Sequence, residues 1–210
     1  MRMIMNDTLH VFHSAEFRGV VRDALTFFEK TPTSEMPPSG SFNGCGVYGI
    51  YYTGGYPLYA KIGMYNAHTL RLPIYIGKAV PSGWRTGREQ WSEEPKLYQR
   101  LQEHARSIQQ TSNLRLADFH CRFVILKDME VDLLVPLEAE LIRRYQPLWN
   151  TYVDGFGNHD PGAGRYNQAQ SEWDVIHPGR AWAKRLTGNA PRLADIRDRV
   201  QKILDELTLS

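Results

Sequence analysis

Arg100 and His104 lie four residues apart in the run KLYQRLQEHARSI. At about 3.6 residues per turn, a helix brings both side chains to one face. A guanidinium there can grip a phosphate through two hydrogen bonds, and an imidazole beside it can hold or pass a proton. Such pairs also decorate ordinary helix surfaces. A second helical run, PLEAELIRRYQPLWN, offers Glu138 and Glu140. Residues two apart on a helix point about 200° from one another, so they cannot share one site. Leu137, Leu141 and Tyr145 form the apolar stripe. Glu138 flanks that stripe, where its carboxylate could turn inward onto a hard cation. Asn150 follows a proline-stopped turn. Upstream, Tyr48 in GVYGIYY and Tyr75 in PIYIGKA sit in two glycine-punctuated runs, with Lys78 at the end of the second. Tyrosine and β-branched residues favour strands and glycines mark bends, so the pattern also suits plain sheet structure.

The elements that must carry these residues can be read along the chain. Ser14 can cap a helix running to about Lys30, with Phe17, Val20, Val21, Ala24, Leu25 and Phe28 at helical spacing. TPTSEMPPSGS reads as a linker. Strands are expected at about 46–53 and 73–77, separated by an irregular, Gly- and Tyr-rich insertion at about 53–72. Pro95 opens a helix to about Gln110. FHCRFVIL alternates as a strand should, Pro136 opens another helix, and Pro147 stops it. From Tyr152 to His177 no period is visible, which predicts a long loop. A last helix carries Leu193, Ile196, Val200, Ile203 and Leu207 on one stripe, suited to core or to a dimer contact.

A chain of 210 residues, 42% hydrophobic, is long enough to bury a sizeable core. No apolar run approaches the roughly 20 residues of a membrane span, and the N-terminus lacks the apolar core of a signal peptide. Cys45 and Cys121 are the only cysteines. They read as buried thiols, so a cytoplasmic protein without a membrane partner is expected. Net charge is +2, which by itself does not announce a nucleic-acid binder. The distribution says more. No acid occurs between Glu35 and Glu89, while Lys61, Arg71, Lys78, Arg85 and Arg88 all do. That stretch is either a phosphate-facing surface or a solvated face whose acids come from elsewhere.

Taken in order, GVY, YIG, RLQEH and LEAELIRRYQPLWN resemble the GIY-YIG nuclease superfamily. The resemblance covers residues 46–150. It implies an α+β fold, a small antiparallel or mixed sheet flanked by helices. A helical N-terminal extension and linker (residues 1–45) would precede this core, and a loop-plus-helix extension (residues 151–210) would follow and pack on it. It further implies hydrolysis of a DNA phosphodiester with a divalent metal. By position, Tyr48 and Tyr75 are the paired tyrosines, facing one cleft, and Arg100 is the phosphate holder with His104 its companion. Glu138 is the metal ligand and Asn150 the polar residue that orders the site. One candidate carboxylate suits a single Mg2+ per active site, since that ion keeps most of its waters. Tyr48 is expected to take the proton of the attacking water, given Lys78, Arg100 and the metal together to depress its pKa from about 10.

The chain departs from the superfamily in spacing, because the two tyrosines stand much further apart than in the usual short hairpin. The insertion between them would be a flap or a DNA contact. Beyond the core, Asn158, His159, Arg165, Asn167, Gln168 and Arg180 can all reach base edges. That composition resembles the type II restriction endonucleases built on this domain, acting on double-stranded DNA. A palindromic site would then call for a homodimer. The same loop also suits an active-site lid. Glu94-Pro95-Lys96 imitates the Glu-x-Lys of the commoner restriction fold, but of acids close before it there are only Glu89 and Glu93. Two alternatives remain open: a repair or mobile-element nuclease acting on branched or damaged DNA, and a non-catalytic DNA-binding module.

Overall fold

Strand β2 (Cys45–Tyr52) is buried at all eight positions. A strand reads that way only when both faces of its sheet are covered, and helices cover both here. The computed structural model describes residues 10–84 and 94–207. Four strands form one sheet in the order β1-β4-β2-β3, with every neighbouring pair antiparallel. The outer strands are β1 (Thr33–Glu35) and β3 (Pro73–Ala79), and β4 (Phe119–Leu126) completes the set.

Alternation along β2 sorts its side chains between two cores. Val47 joins Ile76, Val124, Leu25 and Phe28 of α1 (Ala15–Lys30), and Leu137 and Leu141 of α4 (Leu134–Tyr145). Tyr48, Ile50 and Tyr52 face the other way, towards Leu97, Leu101, Ala105 and Ile108 of α3 (Lys96–Gln109). The second core continues into the C-terminal part of the chain. Trp149 of α5 (Leu148–Thr151), Phe156, Trp173 and Ile176 of α6 (Glu172–Ile176), and Ile196, Val200 and Leu204 of α7 (Leu193–Glu206) all belong to it. Among the described residues, no helix is long and apolar enough to cross a membrane.

Most boundaries follow from local chemistry. The Ser14 hydroxyl accepts from the Phe17 amide at 3.0 Å and starts α1. Gln146, in left-handed conformation (φ 43°), ends α4 with Pro147 behind it. Four elements differ from the sequence expectation, one of them α6, which forms inside the 152–177 stretch expected as a loop. β1 lies inside the stretch taken as a linker, and its three residues are too few for a visible alternation. Helix α4 begins at Leu134, because Pro136 stands in the first turn, where amides have no intrahelical partner. The insertion is ordered, with a 3-10 turn (Pro57–Tyr59) and a helix, α2 (Ala60–Asn66). Asn66 is buried and holds it together. Its amide nitrogen donates to the carbonyls of Tyr52 (3.0 Å) and Leu72 (2.9 Å), and its oxygen accepts from the amides of Arg71 (3.1 Å) and Leu72 (2.9 Å).

Candidate active site

The register of β2 on β3 puts Tyr48 opposite Gly77 and Ile50 opposite Tyr75. Both tyrosines therefore rise from one face of the sheet on a diagonal, with ring centroids 6.3 Å apart. Gly77 makes this arrangement fit: a Cβ there would collide with the Tyr48 hydroxyl. Helix α3 crosses above, and its four-residue spacing delivers Arg100 and His104 together. The Tyr48 hydroxyl lies 2.7 Å from His104 Nε2. The Tyr75 ring meets His104 edge-on at 5.2 Å.

Both partners of the Tyr48–His104 pair are dry. Burial pushes the Tyr48 phenol well above its usual value, with the neighbouring Tyr75 adding to the rise and Arg100 opposing it. Arg100 is the cation that pulls the tyrosine down here, and desolvation outweighs it. Burial likewise holds His104 well below the ordinary imidazole value, assisted by Arg100. At neutral pH the pair is a neutral phenol beside a neutral imidazole. Burial raises Tyr75 too.

Arg100 is already engaged. Its guanidinium donates to the Gly157 carbonyl at 3.0 Å, to Glu103 at 2.8 Å and to His159 Nε2 at 2.6 Å. An arginine has donors only, so that His159 nitrogen accepts. The sequence placed His159 among base readers, yet the structure brings it to the phosphate-holder candidate. The loop that carries it also brings Phe156, whose ring stacks on His104 at 4.6 Å and 16°. Neither Phe156 nor Gly157 was marked by any sequence pattern, since their contacts depend on a loop returning across the sheet.

Glu138 sits on α4 and forms an ion pair with Lys78 at the end of β3. Lys78, expected to help acidify the tyrosine, pairs here with the glutamate. The glutamate's charge reaches the tyrosines, raising both phenols further. Among the described residues no group of three His, Cys, Asp or Glu could cage a metal. A lone carboxylate that already accommodates a cation fits an ion that keeps its waters. Asn150 grips the outer edge of β3: its oxygen accepts from the Ile76 amide at 2.7 Å and its nitrogen donates to the Ile76 carbonyl at 2.8 Å.

Next to the segment 157–159 a polar cleft of about 370 Å³ is lined by Asn158, His159, Arg165, Gln168 and Trp182. Asn158, His159 and Arg165 are exposed. Arg180 is not, and its assignment as a base reader is corrected here. All five of its N–H donors are spent inside the protein, on Asp174 and on three backbone carbonyls. Lys61 donates to the Asp205 carbonyl at 3.0 Å beside α7, and Arg71 is exposed. Arg85 and Arg88 lie outside the described residues.

Comparison with known proteins agrees with this geometry. A family model described as the Eco29kI GIY-YIG domain matches residues 40–204. A search of curated proteins gives no match.

Proposed function

The chain belongs to the Eco29kI GIY-YIG family of nucleases, and we propose on that premise that it is a type II restriction endonuclease, a homodimer cutting double-stranded DNA at a short palindrome with Mg2+. The observation that carries the reading is the Tyr48–His104 contact of 2.7 Å, in a buried cluster with Arg100 beside it. Phosphodiester hydrolysis needs three things: a water that loses a proton, relief of charge on the phosphoryl oxygens, and an outlet for the leaving oxygen.

The chain's own residues answer the first two. Arg100, held from one side by the Gly157 carbonyl, turns its remaining N–H groups to the scissile phosphate, a charge-assisted partner for a guanidinium. Tyr48 then takes the proton of the attacking water while its own proton passes to His104 Nε2. The phenol thereby acts as a conduit and need not stand as a phenolate, which its surroundings oppose. The water oxygen bonds to phosphorus, the bond to the leaving oxygen breaks, and that oxygen takes a proton from solvent. Glu138 would hold the divalent cation, which when bound supplies Lewis-acid stabilisation to the phosphoryl and leaving oxygens. Asn150 keeps the edge of β3, and with it Tyr75, in place. Asn158, His159 and Arg165 face the cleft as DNA-reading residues, and Lys61 and Arg71 are backbone contacts.

Digestion of a plasmid of known sequence with Mg2+, beside a chelated control, tests the proposal. Discrete and reproducible fragments are expected. Nicks that follow branched or damaged structure would make it a repair-type nuclease, and retained binding without product would make it a binding module.

A further inference from the structure

Arg180 has a role inside the protein. We propose that the buried Asp174–Arg180 pair is a positioning unit of the active site, fixing the loop 155–159 against His104 and Arg100. Both side chains are 1% exposed, and they meet bidentately, each contact 2.7 Å long. The guanidinium lies 4.6 Å from the ring centroids of both Trp173 and Trp182. Its remaining donors reach the carbonyls of Gly155 (2.9 Å), Phe156 (3.1 Å) and Asn158 (3.1 Å). One side chain therefore sets three backbone groups of a five-residue segment.

The segment touches the chemistry with its opposite side. Phe156 stacks on His104, the Gly157 carbonyl receives Arg100, and His159 meets the same guanidinium. Tyr75 closes on the segment as well: a Cβ at Gly157 would stand 2.8 Å from its hydroxyl. The loop has little freedom of its own. Gly155 adopts a left-handed φ of 98°, and Ser171 fills the space where its Cβ would be. That serine donates to Asp174 at 2.7 Å, tying α6 to the same pair. A buried ion pair adds little net stability when set against apolar packing. What this one does is hold the carbonyls of Phe156 and Asn158, and that of Gly155 together with the Asn158 amide.

The inference rests on the nuclease reading, and the two fail differently. Cleavage by the parent chain tests the reading, whereas the ratio of variant to parent tests the inference. Arg180→Lys keeps the charge but cannot bridge Asp174 and three carbonyls. In folded protein at saturating DNA, its single-turnover rate should fall at least about 100-fold, as for an angstrom-scale misplacement of a catalytic group. Affinity for uncut DNA should stay within about threefold, since phosphate contacts elsewhere carry it. Added guanidinium ion should restore part of the rate to Arg180→Ala. A parental rate in folded Arg180→Lys, or equal losses of rate and affinity, would overturn the inference. Should neither arginine variant fold, Phe156→Leu decides: it keeps the apolar filling but removes the ring from His104, and a parental rate there also overturns it.

Discussion

A phenol and an imidazole in contact, both dried by their surroundings, form a device with one proton more than it can easily lose and one acceptor it rarely fills. Catalysis of this kind depends on what the substrate adds. Arg100→Ala should cut the cleavage rate by about 10²–10³ while costing uncut DNA far less affinity, because phosphoryl charge develops in the transition state. Equal losses in single-turnover rate and in Kd would recast Arg100 as an ordinary backbone contact. Glu138→Gln should bind DNA without metal yet cut at least about 100-fold more slowly, since loss of a ligand exceeds the usual cost of losing its support. A parental rate in limiting Mg2+ would remove it as the ligand. Two histidines also link pH to stability. Burial pushes His104 well below its usual value and His177 down to about 3. Below about pH 6.5 the unfolded chain binds protons that the folded protein refuses. Stability is therefore full above that pH and falls as the solution is acidified towards the folded values, by up to about 1.4 kcal/mol per pH unit for each ring. Urea unfolding at about pH 7 and about pH 5 measures the slope. An unchanged slope in His177→Gln would show that this ring contributes nothing to it.

Elements differ in how openly the sequence declares them. Helix α3 was readable because its four-residue spacing places Arg100 and His104 together whatever else the chain does. Strands β2 and β3 announced themselves by β-branched and aromatic residues between glycines, and their register then had to bring Tyr48 and Tyr75 to one face. Helix α2 gave no such sign. It is seven residues long, contains Gly63, and has no side-chain cap. Ile62 packs it into the core, and the four hydrogen bonds of Asn66 join its end to Tyr52, Arg71 and Leu72. Asn66→Ala should destabilise the protein by about 2–4 kcal/mol, because buried backbone groups lose their partners. Urea unfolding checks this, and a loss under about 0.5 kcal/mol would mean that the insertion holds itself. Arg180 misled for a related reason. Charge in a glycine-rich run ordinarily means solvent, and only the fold brings Asp174, two tryptophans and three carbonyls around it. His159 misled less: its reach was legible, but not its neighbour.

For the molecule as a whole, the proposed palindrome sets the number of copies. Sedimentation on a cognate duplex should find two protomers, one per scissile bond. One protomer per duplex, with both strands still cut, would defeat the dimer. Where two copies could meet is narrowed by the sheet. On its outer side β3 is already answered at Ile76, whose amide and carbonyl both go to the Asn150 side chain. The opposite margin, β1, offers three residues and runs directly into Met36, Pro37 and Pro38. Proline supplies no amide to an incoming strand. An asparagine at the edge of an active site therefore also interrupts the margin of β3: a strand laid along it would find the amide and carbonyl of Ile76 already taken.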